Sequence, residues 1–256
     1  VLMGNVFHRS SGRAWRLRQR SMVLWRKWIT RLSTEENPLQ IQTPLIQLAS
    51  TPKEACFMKD FAKTRAHLGI ELLNPETLPK GSLEWPKPND TGIISHQDGR
   101  INPLALMKSF HTQIKDQGSQ IIQQHIISIK RNSHVPGERW CINLADGTSL
   151  NQNIIVICAA QGSNAILESL GYRKPMEPVL GQVLDLQINE PKSNWKGWPA
   201  VLNSNGINLI PHGKNRLLMG ATIEKGYQKS PEQLRSILTL KENAPNWIKN
   251  ATVLNH

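Results

Sequence analysis

The run Ile154-Ile155-Val156-Ile157-Cys158-Ala159 constrains the fold more than any other segment. Six consecutive residues carry no polar side chain. A strand with one wet face alternates apolar and polar residues, so a continuous apolar run predicts a strand covered on both faces. Ser163 to Leu170 then predicts a short helix ended by Gly171. A strand buried this way needs layers on either side, which points to a mixed α/β chain.

The flanking segments agree. Residues 13–32 predict an amphipathic helix with Leu17, Leu24, Trp28 and Leu32 on one face. Trp25 and Ile29 widen that stripe, and the arginines between point outward. An extended run from Pro44 to Ala49 leads to a second helix at Thr51. Thr51-Pro52-Lys53-Glu54 forms a capping box, in which hydroxyl and carboxylate each satisfy a free backbone amide. Pro52 suits the first helical position. Phe57, Phe61 and Leu68 are the expected inward residues, and Gly69 the left-handed stop.

Pro75, Pro79, Pro86 and Pro88 mark a loop-rich crossing over residues 74–92. Ile93-Ile94 reads as a short strand and Asp98-Gly99 as a turn. Asn102-Pro103 starts a third helix, with Leu106, Phe110 and Ile114 four apart and Gly118 as its end. Ile121 to Ile129 and Arg139 to Leu144 read as strands, the latter with Trp140, Ile142 and Leu144 on one face. Asp146-Gly147 is a hairpin signal. Val179 to Leu186, Ile207 to Ile210 and Arg216 to Thr222 add strands, and Ser230-Pro231-Glu232-Gln233 caps one more helix. The order predicts a second, largely antiparallel sheet.

The 256 residues suffice for one large domain or two interleaved ones. At 39% hydrophobic and 20% charged, the composition is globular. No apolar run approaches the roughly 18 residues of a membrane span. The first five residues do not form a signal peptide. The start at Val1 predicts an incomplete chain. Cys56, Cys141 and Cys158 are an odd, widely spaced set, which argues against a disulfide framework and for a reducing, cytoplasmic compartment. Cys141 and Cys158 lie in strand-like runs and are expected to be buried thiols.

The net charge is +12. Arg9, Arg13, Arg16, Arg18, Arg20, Arg26, Lys27 and Arg31 precede the first acid, Glu35. Such a stripe attracts phosphates or forms a solvated helix face, and the solvated face is the commoner outcome. No nucleic-acid motif accompanies it, so a non-catalytic nucleic-acid-binding module is a secondary reading. The eight histidines show no metal-ligand spacing. No phosphate-loop or hydrolase-elbow motif is present.

Six strings in order carry a resemblance. They are Asp98-Gly99-Arg100-Ile101-Asn102-Pro103, Gly118 to Ile129, Trp140 to Gly147, Ile154 to Ser163, Pro178-Val179-Leu180-Gly181-Gln182, and Ile210-Pro211 through Arg216 to Glu224. Together they resemble the D-amino-acid oxidase (DAO) family of FAD-dependent oxidoreductases, in particular its glycine-oxidase-like members. The resemblance implies an α/β (α+β mixed) fold. A Rossmann-like FAD/NAD(P)-binding domain is interleaved with a mostly antiparallel-sheet substrate domain, and both are incomplete. Residues 1–36 and 96–168 would belong to the FAD domain, residues 37–95 and 169–256 to the substrate domain. The family's Gly-x-Gly-x-x-Gly turn would precede Val1, and its Gly-Leu-Arg-Pro segment would follow His256. The resemblance also implies oxidation of a C–N bond in a small-molecule amine or amino acid. Hydride passes to FAD, and oxygen or another acceptor takes up the electrons. No catalytic acid or base is needed when the amine binds neutral. A flavin dehydrogenase or a tRNA-modifying relative remains an alternative within the family.

Site residues follow from the resemblance. Gly4 and Asn5 fall in the loop beside the flavin ring, with Asn5 also bordering substrate. The backbone of Ile126 would meet the adenine side, its side chain being ordinary core. Ala159, Ala160 and Ser163 would line the cofactor. Ala160 stands where the family usually has glycine, and Gln161-Gly162 replaces its common Ala-Trp. Asn208 takes a position often held by tyrosine in glycine oxidases, so their substrate does not transfer directly. Ile223 would border the substrate, although a strand residue of this kind is core by default.

Overall fold

The computed structural model describes residues 1–74, 91–132, 139–189, 195–226, 238–239, 241 and 244–255. The chain divides into two compact units. One comprises Val1–Gln113, Gly181–Ile223 and Lys229–His256, and the other Ile114–Leu180 and Glu224–Gln228.

The first unit is built on an eight-stranded sheet. Its strands are β1 (Leu45–Leu48), β2 (Ile70–Leu73), β3 (Gly92–Ser95), β8 (Val183–Gln187), β9 (Val201–Ser204), β10 (Ile207–His212), β11 (Arg216–Gly220) and β13 (Thr252–Asn255). The order is β13-β8-β11-β10-β9-β1-β3-β2. β1 runs parallel to β9, and every other neighbour is antiparallel. One core cluster gathers Ile46, Leu184, Leu186, Leu202, Leu217 and Trp247. Another places Leu45, Ile70, Ile93 and Val201 against helix α2 (Pro52–Arg65). The alternation of Leu45 and Ile46 between these clusters is the period-two geometry of a strand covered on both faces.

The capping box at Thr51 forms. Thr51 Oγ1 accepts from Glu54 N at 3.2 Å, and Glu54 Oε2 accepts from Ser50 N at 2.7 Å, one residue earlier than the usual partner. Thr51→Ala is expected to cost about 1 kcal/mol. Chemical unfolding checks this, and an unchanged midpoint would contradict it. The α2 helix ends through a 3₁₀ turn at Gly69, with φ +72°. Its buried stripe is Ala55, Met58, Phe61, Ala62 and Arg65, whereas Phe57 is 52% exposed, not inward. Phe57 lies to the side of that stripe, against the ring of Phe61.

Helix α1 (Gly12–Leu32) forms as expected, but its apolar face is rotated. Met22, Ile29 and Leu32 are buried, while Leu17 and Trp28 are exposed. The partner surface of Leu39, Ile41, Ile101, Leu106 and Phe110 takes up the stripe through Trp25 and Ile29. Two stripes compete on one helix, and the surface they meet decides between them. Helix α3 (Pro103–Asp116) is capped by Asn102, whose Oδ1 accepts from Leu104 N and Ala105 N, and Gly118 follows it with φ +73°.

The second unit holds an antiparallel sheet of β4 (Ile126–Arg131), β5 (Trp140–Leu144) and β6 (Ser149–Gln152), with the Asp146-Gly147 turn as expected. Helix α4 (Ser163–Ser169) packs on it, and β7 (Val179–Leu180) pairs β12 (Glu224–Lys225). The predicted strand Val179 to Leu186 is therefore broken at Gly181-Gln182, its halves lying in different sheets. The doubly covered strand at Ile154–Ala159 does not form. Ile155 and Ile157 pack on the Ile129–Ile142–Leu144 cluster, but Ile154 and Val156 are 81% and 79% exposed. Among the described residues no strand pairs with this run, so its backbone lacks the ladder that a buried strand requires. Ile121 and Ile122 are exposed for the same reason, and β4 begins only at Ile126. All three cysteines are free thiols. Cys158 is exposed and Cys141 half-buried, against the expectation of buried thiols, because Cys158 lies in an extended run that forms no strand and β5 is not covered on both faces. The helix expected at Ser230 and most of the proline-rich crossing lie outside the described residues. Among the described residues no helix is long and apolar enough to cross a membrane.

Candidate functional site

Three successive backbone amides at the chain's start converge on one carboxylate. Asp98 is fully buried. Its Oδ1 accepts from Gly4 N at 2.8 Å and Asn5 N at 3.0 Å. Its Oδ2 accepts from Asn5 N at 3.0 Å, Val6 N at 2.9 Å and Ser95 Oγ at 3.0 Å. Asp98 is thus no turn residue. The bend falls at His96-Gln97, and Gly99 exchanges backbone bonds with Leu2 at 2.7 and 3.0 Å. A Cβ on Gly99 would overlap the Gln42 carbonyl, so glycine alone fits this crossing.

A cation holds the other side of the same loop. Arg65, buried on α2, donates from Nη1 to Asn5 O at 2.5 Å and Phe7 O at 2.6 Å, and from Nη2 to Arg9 O at 2.9 Å. Its guanidinium lies over the rings of Trp15 at 4.4 Å and Phe61 at 4.2 Å. Burial lowers its pKa from the ordinary value, and the Asp98 charge opposes that shift.

Gly4 and Asn5, both expected at the site, sit between these two anchors. Gly4 is buried, and a Cβ there would overlap the Met22 side chain of α1, which would have to move. The turn borders a small cleft of about 170 Å³ lined by Met3, Gly4, Arg18 and Met22. Asn5 is 3% exposed, and its Oδ1 accepts from Gln19 Nε2 at 3.1 Å. Its Nδ2 has no partner among the described residues. A buried donor left this way costs about 1–3 kcal/mol. Two arginines of the basic stripe also serve the fold: Arg18 donates to Met3 O at 2.9 Å and covers Phe7, and Arg26 donates to Gln97 Oε1.

The other site residues of the first unit are Asn208 and Ile223. Asn208, on β10, accepts from Asn203 Nδ2 at 2.9 Å. Ile223 follows β11 outside any strand and is 81% exposed, so it is not core. In the second unit, Ile126 opens β4 half-buried, Ala159 and Ala160 are exposed, and Ser163 is buried at the start of α4. Ala160 has φ +46°, the left-handed region that favours glycine. Ala160→Gly is expected to stabilise the chain by about 0.5–1 kcal/mol, the relieved strain exceeding the added chain entropy. Urea unfolding checks the sign, and a loss of stability would contradict it.

Sequence reasoning missed Asp98 and Arg65 as organisers of this loop. The only local signal was an arginine placed on the buried stripe of α2.

The fold is that of flavin-dependent amine-oxidising enzymes. Glycine oxidase from Geobacillus kaustophilus superposes with a TM-score of 0.74 at 17% identity, over 98% of this chain and 68% of that one. Iminodiacetate oxidase from Chelativorans sp. BNC1 superposes at 0.75 and 19% identity, over 99% and 70%. The glycine oxidase of Pseudomonas putida is 30% identical over 118 residues, which is 45% of this chain and 31% of that protein. Residues 1–254 match the family model of the FAD dependent oxidoreductases, DAO, and the chain belongs to that family.

Proposed function

We propose that the full-length protein is an FAD-dependent enzyme that oxidises the C–N bond of a small amine or amino acid. The observation that carries this reading is the family match, which runs from residue 1 to residue 254. The residues present fit the cofactor, because Asn5 offers a buried donor with no partner among the described residues, in a loop whose Gly4, Asn5 and Val6 amides are tied to Asp98. Residues 1–36 and 96–168 form the FAD domain, and 37–95 and 169–256 the substrate domain. Gly4, Asn5, Ile126, Ala159, Ala160 and Ser163 hold the cofactor, and Asn5, Asn208 and Ile223 border the substrate.

When bound, FAD supplies the two-electron acceptor for the oxidation. The chain's own part is orientation. Asp98 and Arg65 fix the Gly4–Asn5 loop, and the Asn203–Asn208 pair presents a polar edge on β10 where an aromatic wall would exclude water. Glycine and iminodiacetate, the substrates named for two relatives, define the class to screen: small amino acids with a primary or secondary amine. Oxygen or another acceptor takes the electrons onward, and the compartment is cytoplasmic.

The test is anaerobic reduction. The full-length protein, purified and loaded with FAD, should show bands at roughly 370 and 450 nm. The 450 nm band should bleach with at least one member of a panel of glycine, N-alkyl glycines, D-amino acids and proline. A stable flavoprotein that no amine or amino acid reduces would overturn the reading.

A further inference from the structure

Every polar group of Asn5 except one is committed. Its N–H is shared between the two oxygens of Asp98, its carbonyl accepts from Arg65, and its Oδ1 accepts from Gln19. The residue is 3% exposed, and Nδ2 is left without a partner among the described residues. The loop around it is held as firmly. Gly4 N and Val6 N end on Asp98, Met3 O on Arg18, and Phe7 O and Arg9 O on Arg65. A loop needing only its shape has no use for a spare buried donor. A loop that presents a donor in a fixed direction needs this arrangement, because preorganisation removes the cost of ordering at the moment of binding.

We propose that Asn5 Nδ2 is a pre-aimed hydrogen-bond donor for an acceptor oxygen or nitrogen on the bound ligand, and that Asp98 and Arg65 are the positioning residues that hold it. The inference rests on the reading of this loop as a cofactor- and substrate-facing segment. The acceptor is either on the flavin ring or on the substrate carboxylate, and both present the same unprotonated lone pair. The positioning residues act at a distance in sequence, Arg65 from the buried stripe of α2 and Asp98 from the segment after β3.

The experiment uses full-length protein and four variants: Asn5→Ala, Asp98→Asn, Asp98→Glu and the core control Leu202→Ala. Amide hydrogen exchange without ligand reads the clamp alone. Gly4, Asn5 and Val6 should be protected in the wild type. They should exchange at least about 10-fold faster in Asp98→Asn, with the three amides unaffected in Leu202→Ala. FAD affinity and the separate values of KM and kcat read the donor. Asn5→Ala should weaken one binding constant by about 10-fold with its melting temperature unchanged or raised. A change in FAD affinity places the acceptor on the flavin, and a change in KM alone places it on the substrate. Asp98→Asn should move the same constant, and Asp98→Glu should recover part of it. The proposal is overturned if Asn5→Ala leaves both constants within twofold. It is equally overturned if Asp98→Asn lowers only the melting temperature, as Leu202→Ala does. A wild type that takes up no FAD overturns the functional reading and the donor's role with it, and the exchange pattern then still decides the clamp.

Discussion

Replacing Asp98 with alanine is expected to cost about 3–5 kcal/mol. One carboxylate serves the amides of Gly4, Asn5 and Val6 and the hydroxyl of Ser95, and it is 0% exposed. Its removal orphans four donors at once. Each unmet buried donor costs about 1–3 kcal/mol, and water entering the vacated space returns part of that. For a domain of this size the change corresponds to a fall in melting temperature of roughly 10 °C. Asp98→Asn, which keeps one acceptor, should fall between. Thermal and urea unfolding of the two variants measure both effects, and a loss under about 1 kcal/mol for the alanine variant would show that the amides find other partners.

Trp247→Ala is expected to be as damaging for a different reason. Trp247 lies on helix α5 (Asn246–Lys249) and is 3% exposed. Its ring meets those of Trp198 at 5.1 Å and Trp195 at 6.2 Å, both edge-on, within the cluster that holds Leu184, Leu186, Leu202 and Leu217. Truncation loses the transfer energy of a large ring and leaves a cavity among rigid neighbours, about 3–5 kcal/mol together. Trp247→Phe should retain more than half of the stability. The fluorescence-detected urea midpoint decides the matter, and equal losses for Phe and Ala would mean that the cavity is not what is being measured.

What the sequence disclosed depended on the range of the forces involved. The Thr51 cap and the Asp146-Gly147 hairpin were legible because their partners lie within four residues. Asp98-Gly99 is the same dipeptide and was misread as a turn, because its partners are 92 to 94 residues away. The face of α1 was misjudged because Leu17, Leu24 and Trp28 make as regular a stripe as Met22 and Ile29, and only the surface opposite distinguishes them. Ile154–Ala159 has the composition of a covered strand, yet a strand exists only where another offers it a ladder. The candidate site divides similarly. Gly4 and Asn5 were proposed through resemblance, whereas the anchors that fix them come from α2 and from the segment after β3. Ala160 was noted as a departure from glycine, and its positive φ shows the backbone kept the conformation that glycine would favour.

The most direct measurement is a titration of FAD into the purified full-length protein, followed by quenching of flavin fluorescence. Membership of an FAD-dependent family and the spare donor of Asn5 predict saturable binding at one site per chain, with a rise in melting temperature on saturation. Fluorescence that stays at the value of free FAD, in a protein shown to be folded by its unfolding transition, would contradict the account.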